Sequence, residues 1–369
     1  MTEAVKIEPN HSKRSMHSHA HHTICDSLMR YAEYLGFGEI HTKIDAATGL
    51  KAIIAIHNLK RGPAIGGCRL YAYQTMDKAY EDAFRLAHMM SFKAAINNLP
   101  NGGAKAVLIK PKIIKDREAY FEKFGEFVNE LGGRYITAVD SGTNTEDMDI
   151  VFRRTPFVTC TATLGDNGDP SPCTALGVRR AIEAAVKFKL QRDSIEGVHV
   201  IVQGVGHVGY FLTKELVERG ARVTVADVNT RAVEQCVEEF KVNVCPPEDV
   251  YDIEADVFSP CALGAILNLK TINRLKVKIV AGSANNQLAH HHYDALLQER
   301  GILYAPDFLI NAGGLIHVAV LYNHRDLNKS YEQINTIYHT VYDIFERAAV
   351  ENLPPNVIAE RIARDRLGQ

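Results

Sequence analysis

Val198-His-Val-Ile-Val-Gln203 runs directly into Gly204-Val-Gly206-His-Val-Gly209, and then into Tyr210–Arg219, Gly220, Arg222-Val-Thr-Val-Ala226 and Asp227. The first stretch is an apolar strand, the second a G-x-G-x-x-G turn, and the third opens a helix. A second apolar strand follows and ends on an acid 23 residues after Gly204. That is the full context a dinucleotide fingerprint requires; a lone glycine triplet would be weak. Gly204 permits the tight turn, Gly206 lets backbone approach a pyrophosphate, and Gly209 allows close helix–strand packing. The N–H groups of Val205, His207 and Val208 surround a helix N-terminus whose dipole favours phosphate. Asp227 would accept ribose hydroxyls and repel a 2′-phosphate, so NAD is favoured over NADP, although Arg231 lies close enough to weaken that preference.

Around this unit, from about 173 to 320, strand and helix patterns alternate, as in a parallel sheet. The expected strands are 198–203, 222–226, 256–259, 277–281 and 302–305. Residues 329–350 read as one long closing helix, and Leu353-Pro354-Pro355 breaks before a final short one. Upstream, from about 23 to 155, the pattern is mixed. Helices are expected at 23–35, 77–98 and 116–131, and strands at 51–56, 104–110 and 135–139. At ~100–200 residues per domain, 369 residues give about two domains. The expected fold class is α/β: a mixed α/β domain and a Rossmann domain with a cleft between them.

Composition excludes several classes. Hydrophobic residues make up 46% and charged residues 23%, which rules out a disordered chain or a small disulfide scaffold. A net charge of -2 gives no bulk reason to bind nucleic acid or an anionic membrane. No run approaches the ~18 apolar residues of a spanning helix. The seven cysteines are widely spaced with no C-x-x-C, which fits a reduced, cytoplasmic protein. Residues 1–22 are His-rich, ending in His17-Ser-His19-Ala-His21-His22, and read as a flexible extension rather than a metal site.

Two lysines stand out. Leu86, Met89 and Met90 lie seven, four and three residues before Lys93, so helical spacing puts Lys93 on their apolar face. Pro100-Asn-Gly-Gly103 then turns into a strand that is apolar except for Lys105. Burial lowers a lysine's proton affinity and makes it a usable base. The strand Tyr135-Ile-Thr-Ala-Val139 ends on Asp140. The two lysines and the aspartate could share one polar cluster in a cleft, or form a merely structural ion pair.

These stretches, taken together, resemble the Glu/Leu/Phe/Val amino-acid dehydrogenase family, and most closely its leucine dehydrogenase branch, from about residue 35 to 365. The carrying motifs are Ile65-Gly-Gly-Cys-Arg69, Ser91-Phe-Lys93, Gly102-Gly-Ala-Lys105 and Tyr135–Asp140. Further on come Ser171-Pro-Cys-Thr174-Ala-Leu-Gly177, Pro260-Cys-Ala-Leu-Gly264, Ala281-Gly-Ser-Ala-Asn-Asn286 and Ile310-Asn-Ala-Gly-Gly314. The resemblance implies reversible, NAD-dependent oxidative deamination of an L-amino acid to a 2-oxo acid and ammonia. It assigns the substrate carboxylate to Lys93, with Gly66 and Gly67 lining that region, water activation to Lys105 and proton shuttling to Asp140. Thr174 and Asn286 (rather than Asn285) would contact the nicotinamide amide and the substrate amino group, and Cys261 and Ala262 would border the cofactor. Small-molecule substrates and a homo-oligomer, dimer or higher, are expected, with no metal. The implied domains are 23–158 plus 345–369 for catalysis and assembly, and 159–344 for the dinucleotide.

Glutamate-acting members of that family use a lysine and a serine on the side-chain carboxylate, and the matching positions here are Ile65 and Val318. With Ala138 and Leu315 they make an apolar pocket suited to a branched aliphatic side chain. An aromatic substrate (Phe or Trp) is the alternative. A non-catalytic NAD-binding regulator is a third reading, opposed by the joint presence of Lys93, Lys105 and Asp140. Val139, His317 and Val320 depart from the leucine branch, and Pro111 arrives one residue early, but no catalytic group is lost.

Overall fold

A computed structural model describes residues 28–162 and 169–369. The His-rich segment, Cys25 and the first residues of the helix expected at 23–35 lie outside the described residues; the remainder of that helix, α1, spans 28–35.

Five strands form the first sheet: β1 (Glu39–Asp45), β2 (Leu50–Asn58), β3 (Ala64–Tyr71), β4 (Gly102–Ile109) and β5 (Tyr135–Val139). Their order is β1-β2-β4-β3-β5. β1, β2 and β4 pair antiparallel, whereas β3 runs parallel to both β4 and β5. β2 and β4 are buried along almost their whole length, so the sheet is covered on both faces. Helix α2 (Met76–Ile96) packs on β2 and β4, while α3 (Arg117–Glu130) packs on β2 and β5 and against α4 (Thr145–Phe152). Thr75 and Asp116 cap α2 and α3 by accepting from the Lys78 and Ala119 amides.

The strand β3 was not among the expected elements. Its Gly66-Gly67 pair lowers strand propensity, yet packing demands it. A Cβ at Gly66 would lie 1.8 Å from the Ala104 carbonyl oxygen, and one at Gly67 2.5 Å from that of Val139.

Helix α5 (Ser171–Leu190) leads into the second sheet: β6 (His199–Gln203), α6 (His207–Val217), β7 (Arg222–Ala226), α7 (Thr230–Phe240), β8 (Asn243–Val244), β9 (Val257–Pro260), α8 (Leu269–Arg274), β10 (Ile279–Val280), α9 (Tyr293–Glu299) and β11 (Leu303–Tyr304). All six strands are parallel in the order β11-β10-β9-β6-β7-β8. This is the doubly wound arrangement with its topological switch between β6 and β9, where such sheets bind ligands. The strands expected at 277–281 and 302–305 shrink to two residues each.

After the one-turn α10 (Asp307–Ile310) comes α11 (Gly313–His324), buried on nearly all sides. The single helix expected at 329–350 is two, α12 (Leu327–Asn335) and α13 (Ile337–Glu351). At the break, both the amide and the hydroxyl of Thr336 donate to the Gln333 carbonyl, at 3.1 and 2.7 Å, tightening that turn. Helix α13 runs unbroken through residue 345 and packs on α5. Asn352 ends it in a left-handed conformation, and α14 (Pro355–Leu367) then packs on α2. There Arg366 donates to the Ala95 and Ile96 carbonyls. No described helix is long and apolar enough to cross a membrane.

Candidate active site

The parallel pairing of β3 with β4 and β5 assembles the polar cluster. Register places Gly67 beside Ala138 and Cys68 beside both Val139 and Ala106. Lys105 on β4 and Asp140, just past β5, thereby meet: Nζ lies 2.9 Å from Oδ2. Arg69 on β3 donates from Nε to the same oxygen at 2.9 Å. Burial alone would push the Asp140 carboxyl up, but Lys105 and Arg69 more than offset it and hold it at about 2. Asp140 is therefore an anion across the working pH range. The hydroxyl of Thr143 accepts from the Asp140 amide and closes the turn.

Lys93, in the last turn of α2, does not join this ion pair. Its Nζ donates to Asn285 Oδ1 at 3.2 Å, and Asn311 Nδ2 donates to the same oxygen at 2.9 Å. Burial lowers Lys93 to about 8; Asp307 and Asp140 pull it back up and Lys105 pushes it further down. Asp307 opens α10 and is almost fully buried, accepting the Gln287 amide at 2.7 Å. Burial raises its carboxyl despite that bond and the nearby Lys93.

One cavity of about 280 Å³ gathers these groups between the two sheets. Lys93, Lys105, Asp140, Gly66 and Gly67 line it, as do the apolar Ile65, Ala138, Leu315 and Val318. Thr174 from α5, Val208 from α6 and both Asn285 and Asn286 face it as well. Leu86, Met89 and Met90 share the cavity with Lys93, as the helical spacing requires. Arg69, Asp307, Asn285 and Asn311 are lining residues to which the sequence reading gave no role. His317 is buried in α11 with Nδ1 3.0 Å from Ser330 Oγ, and is not among the cavity's lining residues.

The remaining expected residues lie at the carboxyl ends of β6, β7 and β9. Gly204 has φ +94°, and a Cβ there would meet Ala262 at 2.7 Å. A Cβ on Gly209 would lie 1.9 Å from the Gly204 carbonyl oxygen. Gly206 faces open space, with nothing within 4 Å of such a Cβ, and no side chain caps the helix it opens. Asp227 accepts the Val205 amide at 2.7 Å and the Asn229 amide at 2.8 Å, which fixes the acid beside the glycine turn. His207 is exposed, and Cys261 follows β9 next to Ala262. An uncapped helix end, an open approach over Gly206 and a fixed acid are what a dinucleotide's phosphates and ribose need. Among the described residues, no group of three or more His, Cys, Asp or Glu is arranged to hold a metal ion.

A doubly wound sheet that fits a dinucleotide, facing a lysine–aspartate cluster across a cleft, defines a dehydrogenase. Profiles of the Glu/Leu/Phe/Val dehydrogenase dimerisation domain and of Glutamate/Leucine/Phenylalanine/Valine dehydrogenase match residues 37–157 and residues 168–230 with 224–352. The leucine dehydrogenase of Geobacillus stearothermophilus is 44% identical over 342 residues, covering 92% of this chain and 93% of that one. The phenylalanine dehydrogenase of Lysinibacillus sphaericus is 40% identical over 313 residues, 83% of this chain and 82% of that one. The crystal structure of L-tryptophan dehydrogenase from Nostoc punctiforme superimposes with a TM-score of 0.80 at 37% identity, covering 92% of this chain and 98% of that one. The chain belongs to the Glu/Leu/Phe/Val amino-acid dehydrogenase family, nicotinamide-dependent oxidoreductases that act on CH–NH2 groups.

Proposed function

We propose that the protein catalyses reversible NAD-dependent oxidative deamination of an L-amino acid with a branched aliphatic side chain, giving the 2-oxo acid and ammonia. One observation carries the side-chain preference. The cavity's cations are Lys93, Lys105 and Arg69, and two of them are already paired to Asp140. Lys93 remains for the α-carboxylate, so none is left for a carboxylate on the side chain. The wall of Ile65, Ala138, Leu315 and Val318 would strand that charge, at a cost of several kcal/mol.

A bound NAD would take the hydride from the substrate Cα. The chain's own groups do the rest. Lys93 holds the α-carboxylate above Gly66 and Gly67. Lys105 takes a proton from the water that adds to the imine carbon, and Asp140, which stays an anion, orients its Nζ instead of carrying that proton itself. Thr174 and Asn286 orient the carboxamide and the amino group, while Gly204–Gly209, Asp227, Cys261 and Ala262 hold the dinucleotide. Residues up to about 158 with α14 form the catalytic domain, the second sheet forms the dinucleotide domain, and their closure excludes water. Among the described strands β1 pairs only with β2, and its other edge is available for a homo-oligomeric contact. A reduced cytoplasmic setting fits the wide spacing of the seven cysteines and the absence of any C-x-x-C.

The test is NADH formation with a panel of L-amino acids at alkaline pH. Leucine, valine and isoleucine should exceed phenylalanine and tryptophan by roughly tenfold or more in kcat/KM, and glutamate by far more. A best rate with an aromatic substrate would favour the second reading, which the tryptophan dehydrogenase structure's 0.80 TM-score keeps in view. No turnover on any member of the panel would sink both.

The Lys93 assignment carries its own pH signature. Its ammonium, lowered to about 8, is charged below that pH and neutral above it. The KM for the 2-oxo acid should therefore climb, by roughly tenfold per unit at the limit, once pH passes the Lys93 value. A KM that stays flat between about pH 7 and pH 10 would remove Lys93 from the carboxylate site.

A further inference from the structure

Arg69 forks between two carboxylates. Nε donates to Asp140 Oδ2 and Nη1 to Asp82 Oδ2, each at 2.9 Å. The Asp140 oxygen is the one that Lys105 also contacts. Asp82, on α2, is held from two more directions: Tyr73 Oη donates to it at 2.6 Å and Arg85 Nη2 at 2.7 Å. A continuous chain thus runs from Lys105 through Asp140, Arg69 and Asp82 to the outer end of α2. Such forked, charge-assisted bonds fix orientation as well as charge.

We infer that Arg69 is a positioning residue. It fixes the Asp140 oxygen on which Lys105 rests and balances that carboxylate's charge while Lys105 handles the proton of the attacking water. The inference rests on the reading of Lys105 and Asp140 as the proton-handling pair. The physical need is specific. When Lys105 is neutral, a buried Asp140 with no other cation would take up a proton and cease to orient the amine. Lys105 from β4 and Arg69 from β3 contact Asp140 directly, and its charge is also felt by the Cys68 thiol on β3, the Tyr135 phenol on β5 and Lys93 on α2. Burial drives the Cys68 thiol up to about 12 and the Tyr135 phenol well above its usual value, so both stay neutral. Lys93 loses its charge at about 8. Burial works against the Arg69 charge, but Asp140 and Asp82 raise its proton affinity overall, and a guanidinium has no accessible neutral form. Arg69 is the constant cation of the cluster.

Arg69→Ala, Arg69→Lys, Asp82→Asn and Lys105→Ala separate the possibilities, measured as kcat and KM against pH with melting temperature alongside. Arg69→Ala is expected to lose on the order of 10²-fold in kcat. Removing a cation raises the proton affinity of the pair, so the acidic limb of its kcat profile should move up by about one pH unit. Guanidinium added at millimolar concentration should restore part of the rate. Arg69→Lys, which keeps the charge but not the fork, should fall between, and Asp82→Asn, which removes an anion and frees one arm of Arg69, should lower kcat less and move the limb slightly down instead of up. A limb at the wild-type pH, with the loss confined to KM or melting temperature, overturns the inference. Should Arg69→Ala not fold, wild-type kcat and limb in both Arg69→Lys and Asp82→Asn overturn it. Turnover retained in Lys105→Ala would instead bring down the underlying reading; an inactive Lys105→Ala beside an unshifted Arg69→Ala defeats the positioning role alone.

Discussion

Replacing Lys105 by alanine is expected to lower turnover by roughly 10³-fold or more while dinucleotide binding stays near wild type. The loss follows from position. Lys105 is buried on the cavity wall, and Asp140 orients its Nζ at 2.9 Å. Without it the cleft loses the side chain that Asp140 positions to take the proton from water beside the imine. Lys93 is tied to Asn285, and Arg69 never deprotonates. The fold should survive, because Asp140 keeps Arg69 as its counter-ion and is not left as an unpaired buried charge. Dinucleotide binding should survive because the glycine turn belongs to the other sheet and is held by its own bond to Asp227. Single-turnover measurements with NADH fluorescence titration check both halves. A variant that loses affinity for NADH would contradict the role given to Lys105, and one that keeps its rate would end it.

The dinucleotide half was legible because its signals are local. A strand, a glycine turn and an acid lie within 30 residues, and Gly204 and Gly209 are placed by clashes that a side chain would otherwise suffer. Both 135–139 and 222–226 are strands with the expected bounds. The Lys105–Asp140 contact was legible only as chemistry seeking a partner, since its geometry depends on β3 lying between β4 and β5. That strand is hidden by Gly66 and Gly67, which are in place because backbones approach too closely for a side chain. Arg69 was quoted within a motif but carried no signal of its own; its two carboxylates lie 13 and 71 residues away and meet it only through register and helix packing. Asp307 was missed. A strand was expected at 302–305, but Asp140 and Asp227 follow their strands directly, whereas Asp307 lies three residues past β11 and so did not meet that pattern. Thr336 splits the last long helix through a hydroxyl bond that hydrophobic periodicity does not register.

The glycine turn allows the sharpest separation of folding from binding, because two of its residues should fail differently. At Gly209 a methyl group would sit 1.9 Å from the Gly204 carbonyl oxygen, backbone against backbone, with no flexible side chain to yield. Helix α6 must then move off β6. Gly209→Ala should cost about 1–3 kcal/mol, a fall of several degrees in melting temperature, and lose dinucleotide binding as the helix end shifts. At Gly206 the same methyl meets nothing within 4 Å, and φ is -68°, which alanine adopts freely. Gly206→Ala should therefore melt with the wild type. Its methyl would nevertheless occupy the face by which phosphate reaches the uncapped amides of α6, and NADH affinity should fall roughly tenfold or more. Titration of both variants beside their melting curves decides the matter. If Gly206→Ala binds NADH as tightly as wild type, the open space over Gly206 is not the phosphate's approach, and the dinucleotide must lie elsewhere along the β6–β9 switch. If instead Gly209→Ala is as stable as the wild type, the close packing of α6 on the turn does not hold the cradle's shape.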